Sequence, residues 1–213
     1  MRTTSRTLLS TLLTAPLLVG LVAPASAAES GQIRSSGSFA GIQLSGPETS
    51  DAIPGNYLDG GVDVYGDSAY GYAMTFDCAD GATPYDGEGC DYLGDVMLEG
   101  SGLTSSTGKG RHAATHLSGE LFASMFSWDE ETGEEAYLDL GVLTLDATVT
   151  PYGKAARMTS TETYRDAETG ESFTVRSTQT VYRATASGTL GDLVLDDQAY
   201  VGTYRSAQRW TTP

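Results

Sequence analysis

Residues 111–149 read RHAATHLSGELFASMFSWDEETGEEAYLDLGVLTLDATV. Two alternating runs flank a turn. In 111–127 one face carries Ala113, Leu117, Leu121 and Met125. In 137–149 the apolar positions are Leu138 and Leu140, then Leu143, Leu145, Ala147 and Val149. A period of two marks a half-buried strand, because successive side chains leave opposite faces of the backbone. The phase slips at Gly141-Val142, where a β-bulge absorbs one extra residue. Between the runs, Asp129-Glu130-Glu131-Thr132-Gly133-Glu134 has hairpin chemistry. Asp opens a type I turn, and Gly takes the left-handed position that closes the loop.

The same D-x-E-T-G-E pattern returns as Asp166-Ala167-Glu168-Thr169-Gly170-Glu171, between strand patterns at 155–165 and 172–184. Shared turn chemistry explains the repeat and is preferred to a duplication. Pro151-Tyr152-Gly153 reads as a turn joining the two hairpins, which predicts a four-strand meander. Further strand patterns fall near 37–44, 61–66, 68–77, 93–99, 189–196 and 199–210. In the last, one face carries Tyr200, Tyr204 and Trp210, and the other Thr203, Arg205 and Arg209. Helix signals are nearly absent beyond residue 27. The expected fold is all-β: a single antiparallel β-sandwich or open β-barrel of about ten strands.

The N-terminus predicts the compartment. Arg2 and Arg6 precede an apolar run, Leu8 to Val22, and Ala25-Ser26-Ala27 offers a small-x-small cleavage pattern. Residues 1–27 therefore read as a cleaved signal peptide, 28–37 as a flexible leader and 38–213 as a single all-β domain. The apolar run is shorter than the ~20 residues of a membrane span. A secreted, extracellular product is expected, with no membrane insertion after cleavage.

The chain carries 12 basic and 28 acidic residues, a net charge of -16. Such a balance repels phosphate backbones and anionic lipid heads, so no nucleic-acid partner is expected. In an oxidising compartment the two cysteines, Cys78 and Cys90, are expected to form a disulfide. It would close a glycine- and acid-rich loop with no apolar periodicity to hold its shape.

Candidate chemistry is sparse. Asp77, Asp80, Asp86, Glu88 and Asp91 crowd the disulfide loop, with Asp59, Asp63 and Asp67 upstream. Calcium takes several oxygen ligands on glycine-permitted turns, so one calcium site is a candidate here, although no EF-hand pattern is present. His112, His116 and Glu120 recur every four residues, a metal stripe on a helix. On a strand the same spacing separates them by about 13 Å, too far for one ion. Gly66-Asp67-Ser68 resembles the short serine-nucleophile motif of a family of secreted esterases. That resemblance implies a late Asp-x-x-His, and no histidine follows His116. A carboxylate pair cannot be picked out among 28 acids. Twelve tyrosines stand in a chain with two lysines. Tyr70, Tyr72, Tyr85, Tyr92, Tyr200, Tyr204 and Trp210 are candidates for a platform that stacks on sugar rings. The reading that results is a non-enzymatic binding module. A glycan or cell-wall polymer is its leading ligand, with a protein partner next. A carboxylate-based hydrolase and a structural protein without a small ligand are the alternatives.

Overall fold

The computed structural model describes residues 31–211, apart from 48–49, 87, 110–111, 129–132 and 197. The expected signal peptide lies outside them. The described residues form β1 (Gly31–Gly46), β2 (Tyr57–Tyr65), β3 (Ser68–Cys78), β4 (Cys90–Ser101) and β5 (Thr104–Thr107). They continue with β6 (Thr115–Trp128), β7 (Glu135–Arg165), β8 (Ser172–Leu190), β9 (Leu193–Leu195) and β10 (Gln198–Thr211). All ten strands belong to one large antiparallel sheet, and no helix occurs among the described residues. The main strands pair in chain order, with β5 attached to β6 and the short β9 folding back on β8. β10 pairs with both β8 and β1, so the pairings form a closed cycle.

Most of the apolar positions of the quoted stretch meet on one face, while Leu138 is exposed. Leu117, Leu121 and Met125 of β6 are buried, as are Leu143, Leu145, Ala147 and Val149 of β7. Ile42 and Leu44, Val62, Val96 and Leu98, and Ala184 and Ala186 bring the other strands into the same core. Each fully buried leucine or valine contributes roughly 1.5–3 kcal/mol through removal from water. The bulge falls where the phase slips: Ala123 opposes Gly141 and Ser124 opposes Asp139, leaving Leu140 as the extra residue.

One end of the core is plugged by the 50–56 segment. Ile53 is buried there. Ser50 Oγ and the Asp51 amide both donate to the Asp192 carboxylate, at 2.5 Å each. Thr75 Oγ1 donates to the Pro54 carbonyl. The Asn56 side chain bridges the Cys78 amide and carbonyl at 2.7 and 2.8 Å. At the other end the sheet does not stop. β7, β8, β10 and β1 run on beyond the reach of β2, β3, β4 and β6, as a four-stranded extension. Tyr164, Phe173, Trp210 and Gly31 lie side by side near its tip.

Two strand boundaries need correction. Pro151-Tyr152-Gly153 is not a turn. β7 passes straight through it, so 136–149 and 155–165 are one strand, with a register shift between Tyr152 and Ala156. Proline and a left-handed glycine (Gly153, φ 73°) suit a bulge as well as a turn. Likewise 172–184 and the first residues of 189–196 belong to one strand, β8. Residues 31–37, read as leader, are paired with 204–210. The second D-x-E-T-G-E loop behaves as the sequence implies. Asp166 Oδ1 accepts from the amides of Glu168 and Thr169, the Gly170 amide donates to the Asp166 carbonyl, and Gly170 has φ 73°. In the first loop only Gly133 and Glu134 are described.

Candidate functional site

The disulfide is formed. Cys78 ends β3, Cys90 begins β4, and the two residues oppose each other with Cα atoms 4.0 Å apart. The acids around it do not gather. Asp77 faces Asp91 across the β3–β4 pair. Asp86 turns back on its own loop, accepting from Thr83 Oγ1 at 2.8 Å and from the Thr83 amide at 3.2 Å. Asp77, Asp80, Asp86, Glu88 and Asp91 are all exposed. Among the described residues no three of His, Cys, Asp and Glu converge on a point that could hold a metal ion. His116 Nε2 lies 2.9 Å from Asp146 Oδ1, while His112 packs edge-on against Tyr182. Ser68 closes the two-residue turn between β2 and β3, beside Asp67.

The aromatic candidates divide into two groups, because the sheet sends them to different regions. Tyr200 and Tyr204 lie on the outer face of β10, over glycines of β1. A Cβ on Gly41 would fall inside the Tyr200 ring, and one on Gly37 would crowd Tyr204. The Tyr200 hydroxyl donates to Asp63 on β2. Burial raises the Asp63 carboxyl above the usual carboxylate range, against the opposing pull of that hydrogen bond. Phe39 stacks on Tyr65 and meets Tyr200 edge-on, which leaves Tyr200 half-buried. Trp210 lies over Gly31 at the extension tip.

Tyr70, Tyr72 and Tyr92 make the second group, on the outer face of β3 and β4. Tyr72 donates to Asp95 Oδ1 at 2.7 Å. Burial and that bond push its hydroxyl up to about 12. Tyr92 also bonds Asp95, and Tyr85 bonds Asp59. Register adds neighbours that tyrosine counting missed. Tyr70 opposes Glu99, and Glu99 opposes Phe122 on β6. Asp95 opposes Phe126, which opposes Tyr137 and meets its ring at 5.0 Å, edge-on. Tyr70, Phe122 and Tyr137 are 60%, 68% and 63% exposed. The signal for Phe122 and Phe126 was present in the sequence: they occupy the outward phase of a strand whose inward phase is Leu121, Ala123 and Met125.

The result is a strip of exposed rings on β3, β6 and β7 with two carboxylates, Asp95 and Glu99, on the strand between. Neighbouring strands stand about 4.8 Å apart, so Tyr70 and Phe122 flank Glu99 at about 10 Å from each other. At the root of the extension a cavity of about 210 Å³ opens between Val64, Leu117, Tyr182 and Val201. Compared with known families, curated proteins and solved structures, the chain matches none.

Proposed function

We propose that this chain is an exported, non-enzymatic binding module for a glycan or cell-wall polymer, gripped on the outside of an antiparallel barrel. The closed cycle of pairings from β1 through β10 supports a barrel over a sandwich. The observation that carries the functional reading is the ring–carboxylate–ring strip of Tyr70, Glu99 and Phe122, continued by Tyr72, Asp95 and Phe126. Exposed rings present flat apolar faces to the C–H faces of a pyranose, and interleaved carboxylates accept hydrogen bonds from its hydroxyls. Large side chains held out of the core on several adjacent strands form the kind of surface patch that marks an interaction site. Among the described residues, Asp63 is the carboxylate with a raised pKa. The two lowered ones, Asp166 and Asp192, sit in turns where hydroxyl and amide donors hold them. A general acid and base would need opposed shifts on two carboxylates of one cleft, whereas Asp63 lies on β2 and the other two in turns.

The test is co-sedimentation with a panel of insoluble polysaccharides and cell-wall preparations. The parent protein should be retained by at least one polymer. Tyr70→Ala/Phe122→Ala should lose most of that retention, on the order of tenfold, with an unchanged melting temperature. Retention by none, or retention untouched by the double substitution, would remove this reading and turn attention to protein partners.

A further inference from the structure

The arginines describe a second surface, on a different face and independent of the aromatic strip. Six of them, Arg34, Arg157, Arg165, Arg176, Arg205 and Arg209, fall on one side of the four-stranded extension. The register places them there. Arg157 opposes Thr180, whose neighbours Tyr182 and Ala184 continue the phase of the core face. Two residues further along the strands comes Arg205, opposite Thr178. Arg34 and Arg176 share the next row through Ala207. Arg209 follows, and Arg165 closes the series near the tip. Every row carries one or two arginines. Between them, up to residue 209, this face holds only serine, threonine, glutamine and alanine, with neither a carboxylate nor an aromatic ring.

All six arginines are exposed. Among the described residues no carboxylate lies within salt-bridge distance of any of the six; the one contact of that kind is between His116 and Asp146. Arg34, Arg176 and Arg205 border a concavity of about 400 Å³. In a chain of net charge -16, such segregation gives this face a sign opposite to that of the whole molecule.

We propose that this face binds a linear phosphodiester polymer of alditol units. Three features select that occupant. Rows on one face of a strand recur about every 7 Å, so five rows form a stripe about 27 Å long with cationic side chains at each step. A short alditol joined through phosphodiesters, as P–O–C–C–C–O–P, advances its phosphate by a comparable step when extended. The guanidinium fork matches two phosphate oxygens at once. The serine and threonine hydroxyls between the arginines donate to and accept from polyol hydroxyls. Single-stranded nucleic acid carries the same charges but is held by rings on which its bases stack, and this face has none.

The test is fluorescence anisotropy of a tagged synthetic glycerol-phosphate oligomer with the purified protein, from low to moderate salt. Binding is expected, with log affinity falling linearly against log salt by about 0.7 per phosphate contact. Arg34→Gln/Arg176→Gln/Arg205→Gln should weaken it at least tenfold and flatten the slope by about 2. The matching triple lysine substitution should keep most of the slope. A second set, Arg157→Gln/Arg165→Gln/Arg209→Gln, repeats the test should the first fail to fold, as judged by its melting temperature. Absence of salt-sensitive binding, or a glutamine variant that binds like the parent, overturns the proposal. Equal binding of an oligothymidylate would make the face a nucleic-acid surface instead. Equal binding of polyglutamate would make it a surface for acidic protein.

Discussion

Tyr200 shows how one residue can tie three strands. Its ring crosses β1 at Gly41, where only a missing side chain makes room, and its hydroxyl reaches Asp63 on β2. Large residues over glycines recur at Tyr204 with Gly37 and Trp210 with Gly31, a pairing that restores cover where a strand lacks side chains. Removing the Tyr200 hydroxyl leaves a half-buried carboxylate without this donor. Tyr200→Phe is expected to cost about 1–3 kcal/mol at pH 7 in urea unfolding. The pH sign follows from Asp63, whose folded pKa stands above its unfolded value. Its contribution favours the fold below the unfolded pKa and is lost as pH rises through the folded one. The deficit of the phenylalanine variant should therefore shrink on acidification below about pH 4, where the carboxyl is neutral in both states. A constant deficit from pH 7 to pH 3.5 would mean that the hydroxyl does not act through Asp63. Nothing local announces this contact: Tyr200 and Asp63 are 137 residues apart, and only register brings them together.

At the scale of strands, alternation was legible wherever one face is buried. β6, the first half of β7 and the bulge near Gly141 are written in the order of their apolar residues. In the extension the strands at 155–165, 172–184 and 199–210 were legible, but both faces carry polar side chains, so the period of two does not say which face turns inward. Pro151-Tyr152-Gly153 misleads for a related reason: a bulge and a turn ask for the same residues. The β3–β4 connection is legible through its cysteines and depends on them. Besides the bridge, the 79–89 loop is held by three backbone hydrogen bonds, the Asp86–Thr83 side-chain contacts and the bond from Tyr85 to Asp59. Cys78→Ala/Cys90→Ala should lower the unfolding free energy by about 3 kcal/mol, read from urea melts. A loss under about 0.5 kcal/mol would mean that the loop is already ordered in the unfolded chain.

For the molecule as a whole, composition states the mean charge and hides its arrangement. A net -16 argues against anionic partners, yet the strands of the extension sort six cations onto one side. Part of this was visible in Thr203, Arg205 and Arg209, which share a phase of the last strand pattern. The rest needed register, since Arg34 and Arg176 become neighbours only through β10. The candidate aromatic surface was half legible in the same way: Tyr70 and Tyr72 by type, Phe122 and Phe126 only once their strand had a known inner face. Over the remaining surface the acids repel one another, which opposes compaction. Added sodium chloride should screen them. Between about 20 and 300 mM salt the melting temperature is expected to rise by about 2–4 °C, the equivalent of about 1 kcal/mol for a chain of this size. A fall would mean that attractive pairs outweigh repulsion.

The unbroken course of β7 and β8 has a mechanical consequence. Both strands begin in the core or at the tip and end at the other without a linker, so the extension is a cantilever fixed at its root. Bending it strains a ladder of hydrogen bonds across four strands at once, interrupted on β7 by the register shift at Tyr152–Ala156. A surface mounted on such a beam is in shape before anything binds it, so association there would lose little freedom in the backbone.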